Sequence, residues 1–232
     1  MLKSLTIFFP CYNEAANVER VTRAALAAGS PLTSDLEVLI VNDGSRDDTG
    51  EISEALAAAN ARIRVAHNRP NQGYGGAVIR GLREARKEWV FYTDGDGQFD
   101  LGEIPRLIEL LDRCDVAVGY RLDRADPLHR KINAALWNAL VRLLFGLKVR
   151  DVDCAFKLLP RKLVDEIRLE SRGALISTEL LARAARRGYR IAEVGVHHYP
   201  RQAGVATGAK LSVIARAFWE LFKLARRIRR GD

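Results

Sequence analysis

Cysteine is scarce in this chain: Cys11, Cys114 and Cys154 are scattered and odd in number. That pattern fits reduced, mostly buried thiols better than a disulfide framework or a zinc site, so a cytoplasmic setting is expected. Also lacking is any apolar stretch that approaches a membrane span. The start, Met1 to Pro10, has an apolar run too short for a signal-peptide core and no small-residue cleavage pattern, so it reads as a cytosolic first strand. No Pro/Gly/Ser-rich linker divides the 232 residues, and a hydrophobic content of 48% can bury a substantial core. One domain over residues 1–208 with an appendix over 209–232 is the expected organisation. Positive charge, by contrast, is plentiful. A net charge of +8 and a pI near 9.7 call for an anionic partner: nucleic acid, nucleotide or membrane surface.

Apolar runs alternate with helical patterns along the first half. Strands are predicted at Leu5 to Pro10, Leu36 to Val41, Ile63 to His67, Trp89 to Thr93 and Val116 to Tyr120. Helices are predicted between them, near Ala16 to Ala28, Thr49 to Ala59, Gly76 to Ala85 and Ile104 to Leu111. This is a βαβ alternation, which implies an α/β fold with a mostly parallel central sheet flanked by helices. Ligands of such sheets bind beyond the carboxyl ends of the strands. Each candidate motif sits at such an end: Pro10-Cys11-Tyr12-Asn13-Glu14 after the first strand, Asn42-Asp43-Gly44-Ser45 after the second, and the glycine loop from Asn68 to Gly76 after the third. Taken singly, these loops have plainer readings. Ser45 or Asp47 suits a helix cap, and the glycine loop suits a helix N-terminus or a backbone that must approach a phosphate. The glycine spacing is not the dinucleotide fingerprint, so no nicotinamide site is expected.

The fourth strand ends in Tyr92-Thr93-Asp94-Gly95-Asp96-Gly97-Gln98. Two carboxylates one residue apart, with an amide oxygen two residues on, offer a hard divalent cation oxygen ligands and leave positions open for a diphosphate. An acidic turn that merely meets water is the competing reading of this motif alone.

As an ordered set, these motifs resemble the family 2 inverting glycosyltransferases with the GT-A nucleotide-diphospho-sugar transferase fold. Within that family, the chain looks most like dolichol-phosphate mannosyltransferase and polyprenyl-phosphate glucosyltransferase catalytic domains. Gly119-Tyr120-Arg121, the run from Asp151 to Lys157, Ser177-Thr178-Glu179 and the segment from Glu193 to Gly204 extend the likeness. The chain has Cys154-Ala155-Phe156 where members often show Ser/Thr-Gly-Phe. The resemblance implies transfer of a hexose from a nucleotide-sugar, of the GDP-mannose or UDP-glucose type, to a polyprenyl or dolichyl phosphate. It implies that Pro10, Tyr12, Glu14, Asp43 and Gly73 line the nucleotide pocket, with Arg201 on the diphosphate. Asp94, Asp96 and Gln98 would hold Mg²⁺ or Mn²⁺. Arg121 and Arg130 are the candidate cradle for the lipid phosphate, and Asp153 and Glu179 the carboxylates by the reacting centre. Transfer to a sugar hydroxyl is the alternative within enzymes, and a nucleotide-sugar-binding or membrane-recruiting protein without turnover is the alternative outside them. For Glu179, a capping or core-edge role competes equally.

Two segments carry helical apolar spacing with basic residues beside it. The first has Leu128, Ile132, Leu136, Leu140, Leu143, Leu144 and Leu147 with Arg130, Lys131 and Arg142. The second has Leu211, Ile214, Phe218, Leu221, Phe222, Ala225 and Ile228 with Arg216, Lys223, Arg226, Arg227, Arg229 and Arg230. Such helices suit the headgroup region of an anionic leaflet at the cytoplasmic face, and the competing reading is an apolar face docked on the domain or on a second subunit. A partner membrane protein or a homo-oligomer is compatible with either. Nucleic acid is not expected, because the basic residues accompany apolar faces and not a stacking platform.

Overall fold

The computed structural model describes residues 1–122, 128–201 and 220–228, with residues 128–135 described by backbone alone. Seven strands form one sheet: β1 (Leu5–Cys11), β2 (Leu36–Asn42), β3 (Ile63–His67), β4 (Trp89–Thr93), β5 (Val116–Arg121), β6 (Phe156–Pro160) and β7 (Ile191–Val196). Their order is β3-β2-β1-β4-β6-β5-β7. All neighbouring pairs are parallel except those of β6, which runs antiparallel to both β4 and β5. The helices are α1 (Ala15–Gly29), α2 (Thr49–Ala59), α3 (Gly73–Glu84), α4 (Ile104–Ile108), α5 (Leu128–Phe145), α6 (Arg161–Glu166) and α7 (Ile176–Arg186). Every residue of β2 is buried, as expected of a strand covered on both faces. Helix α1 buries Val18, Val21 and Ala25, the face that its 3.6-residue period sets inward.

Several elements depart from expectation, β7 and α6 among them, since neither has a counterpart among the predicted elements. Helix α3 begins at Gly73, three residues before the predicted start, so the glycine loop itself forms its first turn. The stretch predicted as one helix from Ile104 is α4 flanked by the 3-10 turns Leu101–Glu103 and Glu109–Asp112. Strand β6 was not anticipated, and its direction matters for the site. Because it runs against its neighbours, its leading loop, Asp151 to Ala155, arrives at the same edge as the trailing loops of β1, β2, β4 and β5.

The two amphipathic segments are described in part. On α5, Val141 is buried and Leu140 and Leu144 pack against the core, while Leu136 and Leu143 point to solvent at 62% and 79% exposure. The apolar spacing therefore covers two faces, one of them docked. Residues 220–228 are helical, and Leu221, Leu224, Ala225 and Ile228 are buried, leaving Phe222 exposed. Arg227 pairs with Glu170 at 2.6 Å. This part of the tail is docked on the domain. Leu211 to Trp219, Arg229 and Arg230 lie outside the described residues, as do the side chains of Leu128, Arg130, Lys131 and Ile132. Among the described residues, no helix is long and apolar enough to cross a membrane.

Candidate active site

A cleft of about 700 Å³ opens at the carboxyl edge of the sheet. On one side it is lined by Pro10, Tyr12 and Glu14 from the end of β1 and by Asp43 from the end of β2. Gly73 and Tyr74 of α3, Asp94 and Asp96 after β4, and Arg201 complete the wall. Eight of the residues singled out from the sequence thus meet in one hollow.

The loops are tied to one another before any ligand is considered. Ser45 Oγ accepts from Asn13 N at 3.0 Å and Asp47 Oδ2 from Ala15 N at 3.1 Å, so both serve the neighbouring β1 loop, while Asp47 Oδ1 also takes Thr49 N of α2 at 3.1 Å. Asp43 is buried, and its Oδ1 takes both Asn68 Nδ2, at 2.8 Å, and Gln72 N, at 2.9 Å. That leaves Oδ2 available on the cleft side.

The Asp-x-Asp turn depends on two glycines for different reasons. A Cβ on Gly95 would lie 2.5 Å from the Pro10 carbonyl oxygen, so β1 and this loop can approach only without one. Gly97 sits at φ +70°, where L side chains are strained, and a Cβ there would also strike the Arg20 guanidinium. Arg20 was not foreseen. From α1 it donates to the carbonyls of Asp96 and Gly97, both at 3.3 Å, and so grips the turn from behind. No local pattern marks it, because its partners lie more than seventy positions away.

Asp94 is half-buried and accepts from the Tyr74 hydroxyl at 2.9 Å. Burial, then the neighbouring Asp96 charge, pushes its carboxyl up to about 6 against the opposing pull of Tyr74, Arg121 and Lys157. Burial and Asp94 likewise push the Tyr74 hydroxyl upward. Negative charge is therefore crowded at this turn, which is the condition a hard cation relieves. Among the described residues, no group of three or more His, Cys, Asp or Glu side chains converges as a metal cage. A cation held by Asp94 and Asp96 would complete its shell from ligand oxygens and water. Gln98 does not line the cleft. Its amide nitrogen donates to the Tyr199 carbonyl at 2.7 Å, while Tyr199 N returns a bond to Gln98 O at 2.8 Å.

That exchange explains how Arg201 reaches the site. Residues 197–201 are stitched to the Asp-x-Asp loop by Gln98 and by His197 N donating to Glu103 Oε2 at 2.6 Å. Arg201 Nη2 then lies 2.8 Å from Glu14 Oε1 and 3.3 Å from Asp96 Oδ2, bridging the two walls.

The acceptor-side candidates are placed differently. Arg121, at the end of β5, is locked in a fork: Nε donates to Asp151 Oδ2 at 2.7 Å and Nη2 to Asp151 Oδ1 at 2.9 Å. This partner raises its already high pKa despite burial. Asp151 opens the run from Asp151 to Lys157, where nothing local marks it as the partner of Arg121. Asp153 is exposed at the same edge, near enough that its charge acts on Tyr74 and Arg121. Glu179 is corrected: it has no exposed surface and does not line the cleft. Its Oε2 accepts from Glu170 N at 3.0 Å and Ser171 N at 2.7 Å, and its Oε1 from Arg183 Nε at 2.9 Å. It is a buried brace for the 170–171 loop, the core-edge role that competed from the start. Arg130 stands on α5, with its side chain outside the described residues.

A second residue the sequence did not reveal is Lys157, fully buried on β6 with Nζ 5.4 Å from the Tyr92 ring centroid and 3.2 Å from the Val152 carbonyl. It also donates to the Cys154 carbonyl. Its charge acts on Asp94 from within the sheet.

Known proteins are similar to this chain in sequence and in fold. The profile of glycosyl transferase family 2 matches residues 6–168. Glycosyltransferase AglD of Haloferax volcanii is 36% identical over 208 residues, covering 85% of this chain and 33% of its own. An undecaprenyl-phosphate 4-deoxy-4-formamido-L-arabinose transferase of Pseudomonas fluorescens is 30% identical over 217 residues, covering 92% and 62%. An undecaprenyl-phosphate mannosyltransferase of Micrococcus luteus is 29% identical over 214 residues, covering 88% and 86%. The chain thus spans about a third of the first relative and under two thirds of the second. Glucosyl-3-phosphoglycerate synthase of Mycobacterium tuberculosis, crystallised with Mn²⁺, uridine diphosphate and glucosyl-3-phosphoglycerate, superposes with a TM-score of 0.66 at 21% identity, covering 97% of this chain and 76% of that one. The same enzyme has been crystallised with Mg²⁺ and uridine diphosphate. At that identity the likeness establishes the fold, which is GT-A. With the profile covering most of the chain, the resemblance drawn from the loop motifs holds: the chain belongs to glycosyl transferase family 2.

Proposed function

We propose that this chain transfers a hexose, with inversion, from a nucleotide-diphospho-sugar to a polyprenyl or dolichyl phosphate at a membrane surface. The observation that carries the reading is the single cleft that gathers Asp43, Asp94, Asp96 and Arg201 at the carboxyl edge of the sheet. Asp43 keeps one oxygen for the 68–72 loop, so the other is available to accept an N–H of the donor base. Asp94 and Asp96 would hold Mg²⁺ or Mn²⁺, which when bound supplies charge neutralisation to the donor diphosphate. Arg201, bridging Glu14 and Asp96, is poised to exchange a carboxylate for a phosphate oxygen, since both match the guanidinium fork. Gln98 acts through Tyr199, holding the segment that carries Arg201.

On the acceptor side, a phosphate monoester needs no base, because its second pKa of about 6 leaves it ionised at neutral pH. In the transfer, a phosphate oxygen forms the bond to sugar C1 as the bond from C1 to the nucleoside diphosphate oxygen breaks. The Arg121 fork with Asp151 leaves Nη1 to meet the acceptor phosphate, and Arg130 is the second member of that cradle. Asp153 steers the acceptor, or takes its proton if the acceptor is a hydroxyl. The relatives named for undecaprenyl-phosphate sugar transfer support the lipid phosphate. Exposed Leu136, Leu143 and Phe222, among basic neighbours, offer the apolar contact with an anionic bilayer.

The test is nucleoside diphosphate release with a panel of UDP- and GDP-sugars, each with Mg²⁺ or Mn²⁺, in the presence of a short polyprenyl phosphate, of a sugar hydroxyl acceptor, or of neither. Release that requires the lipid phosphate supports the reading. Release driven equally by a sugar hydroxyl acceptor contradicts it.

A further inference from the structure

A second hollow, of about 630 Å³, lies on the other side of the 68–72 loop. No residue lines both it and the cleft above. Its floor is one face of α3, where Gly76, Ile79, Arg80 and Arg83 recur at helical spacing. Arg69 closes it from the β3 side, and Arg168 and Arg172 from the loop before α7.

The charge of this hollow is one-sided. Five arginines line it against one carboxylate, Glu170. That carboxylate is already shared between Arg168, at 3.4 Å, and Arg227, at 2.6 Å. Arg80 is paired with Glu84 at 3.1 Å, and the Arg172 guanidinium meets the neutral Gln72 side chain and no carboxylate among the described residues. Arg69 and Arg83 are exposed and have no ion pair among the described residues. Like charges held in a concavity repel one another and focus a positive potential into it, a cost that a bound anion reverses. Guanidinium forks fit phosphate oxygens two at a time, and the volume is that of a small-ligand site. Ile79 and Leu169 are the large apolar side chains among its lining residues, so the arginines set its chemistry.

We propose that this hollow is a second phosphate site, separate from the donor cleft, that takes a ligand carrying several phosphates or a clustered lipid phosphate headgroup. The wall between the two spaces is thin. Asn68 and Gln72 line the basic hollow and also hold Asp43 of the donor cleft.

The probe is inorganic tripolyphosphate, titrated calorimetrically into the full chain in chelator, so that no metal recruits it to Asp94 and Asp96. Flotation with phosphatidylcholine vesicles doped with phosphatidic acid forms the second arm. The double variant R69A/R83A should weaken tripolyphosphate binding by about tenfold or more, while Arg201→Ala leaves it unchanged. Both altered side chains are exposed and unpaired, so the melting temperature of the double variant should match wild type. Loss of tripolyphosphate binding in the double variant identifies a soluble polyphosphate ligand. Loss of flotation alone identifies a lipid phosphate. The proposal is overturned if wild type binds neither probe, if the double variant binds both as wild type does, or if Arg201→Ala removes tripolyphosphate binding as completely as the double variant.

Discussion

The β1 to β4 half of the sheet and the β5 to β7 half meet at the same edge, yet they treat their charged groups in opposite ways. In the first half, Glu14, Asp43, Asp94 and Asp96 face a cleft, and Arg201 reaches in from afar to bridge Glu14 and Asp96. In the second half, the corresponding charges are closed on one another. Arg121 is forked to Asp151, Glu179 braces a loop and Arg183, and Lys157 is sunk among carbonyls. The lesson is that a charged residue in a family motif can serve the site either by meeting the ligand or by fixing the wall, and burial with full hydrogen bonding separates the two.

Breaking the open half should have the largest effect on chemistry. Asp96→Ala should lower turnover by about a thousandfold or more, since loss of charge neutralisation at the leaving group costs several kcal/mol. The melting temperature should move far less than turnover, because the Asp96 side chain meets Gln98 N and Arg201 at the loop edge of the cleft. A turnover assay beside a melting curve checks this.

Breaking the closed half should do the reverse. Glu179→Ala would leave Arg183 without its buried carboxylate and strand the N–H groups of Glu170 and Ser171, a loss of about 3–5 kcal/mol. A denaturant titration should record it. Asp153→Asn, by contrast, should leave stability unchanged and alter only the acceptor KM or kcat. If Glu179→Ala proves as stable as wild type but inactive, Glu179 belongs with the open half.

The docked tail sharpens the same contrast at smaller cost. Removing residues 220–232 would uncover the core against which Leu221, Leu224 and Ile228 pack and should lower the melting temperature by several degrees, at about 2 kcal/mol or more. Vesicle flotation of the truncated chain would report separately on membrane contact.

Arg121→Ala and Asp151→Ala should be strongly non-additive, because each removes the other's partner. A double-mutant cycle on acceptor kcat/KM should give a coupling of about 1–3 kcal/mol, with nucleotide affinity nearly unchanged. The smallest effect concerns the thiols. Cys11, Cys114 and Cys154 are all buried, and burial pushes each upward, Cys154 to about 12. A thiol reagent should label none of them until the chain unfolds.

The difference between the halves also governs what the sequence discloses. Every open-half motif is a strand followed directly by its turn residues, so Asp43 or Asp94 is legible from a few neighbours. The closed half is built from distant pairs: Arg121 with Asp151 thirty positions on, and Glu179 with a loop whose path depends on α7 packing. The direction of β6 is set by its place between β4 and β5, which no local periodicity encodes. Arg20 and Lys157 escaped notice for the same reason. A basic residue in a helix or strand looks solvated until its partners arrive from elsewhere. The tail shows the converse: its apolar spacing marked Leu221, Ala225 and Ile228, which are buried, but also Phe222, which is exposed, and it passed over Leu224.

The central claim is that Asp94, Asp96 and Arg201 form a metal-assisted diphosphate site. It is tested most directly by measuring the affinity of UDP and of GDP for wild type and Asp96→Ala, each titrated with Mn²⁺ and again in chelator. Wild type should bind one of the two nucleotides at least about tenfold more tightly with metal, and Asp96→Ala should lose that gain while melting normally. Equal affinity in metal and chelator for wild type, or a full metal-dependent gain in Asp96→Ala, would contradict it.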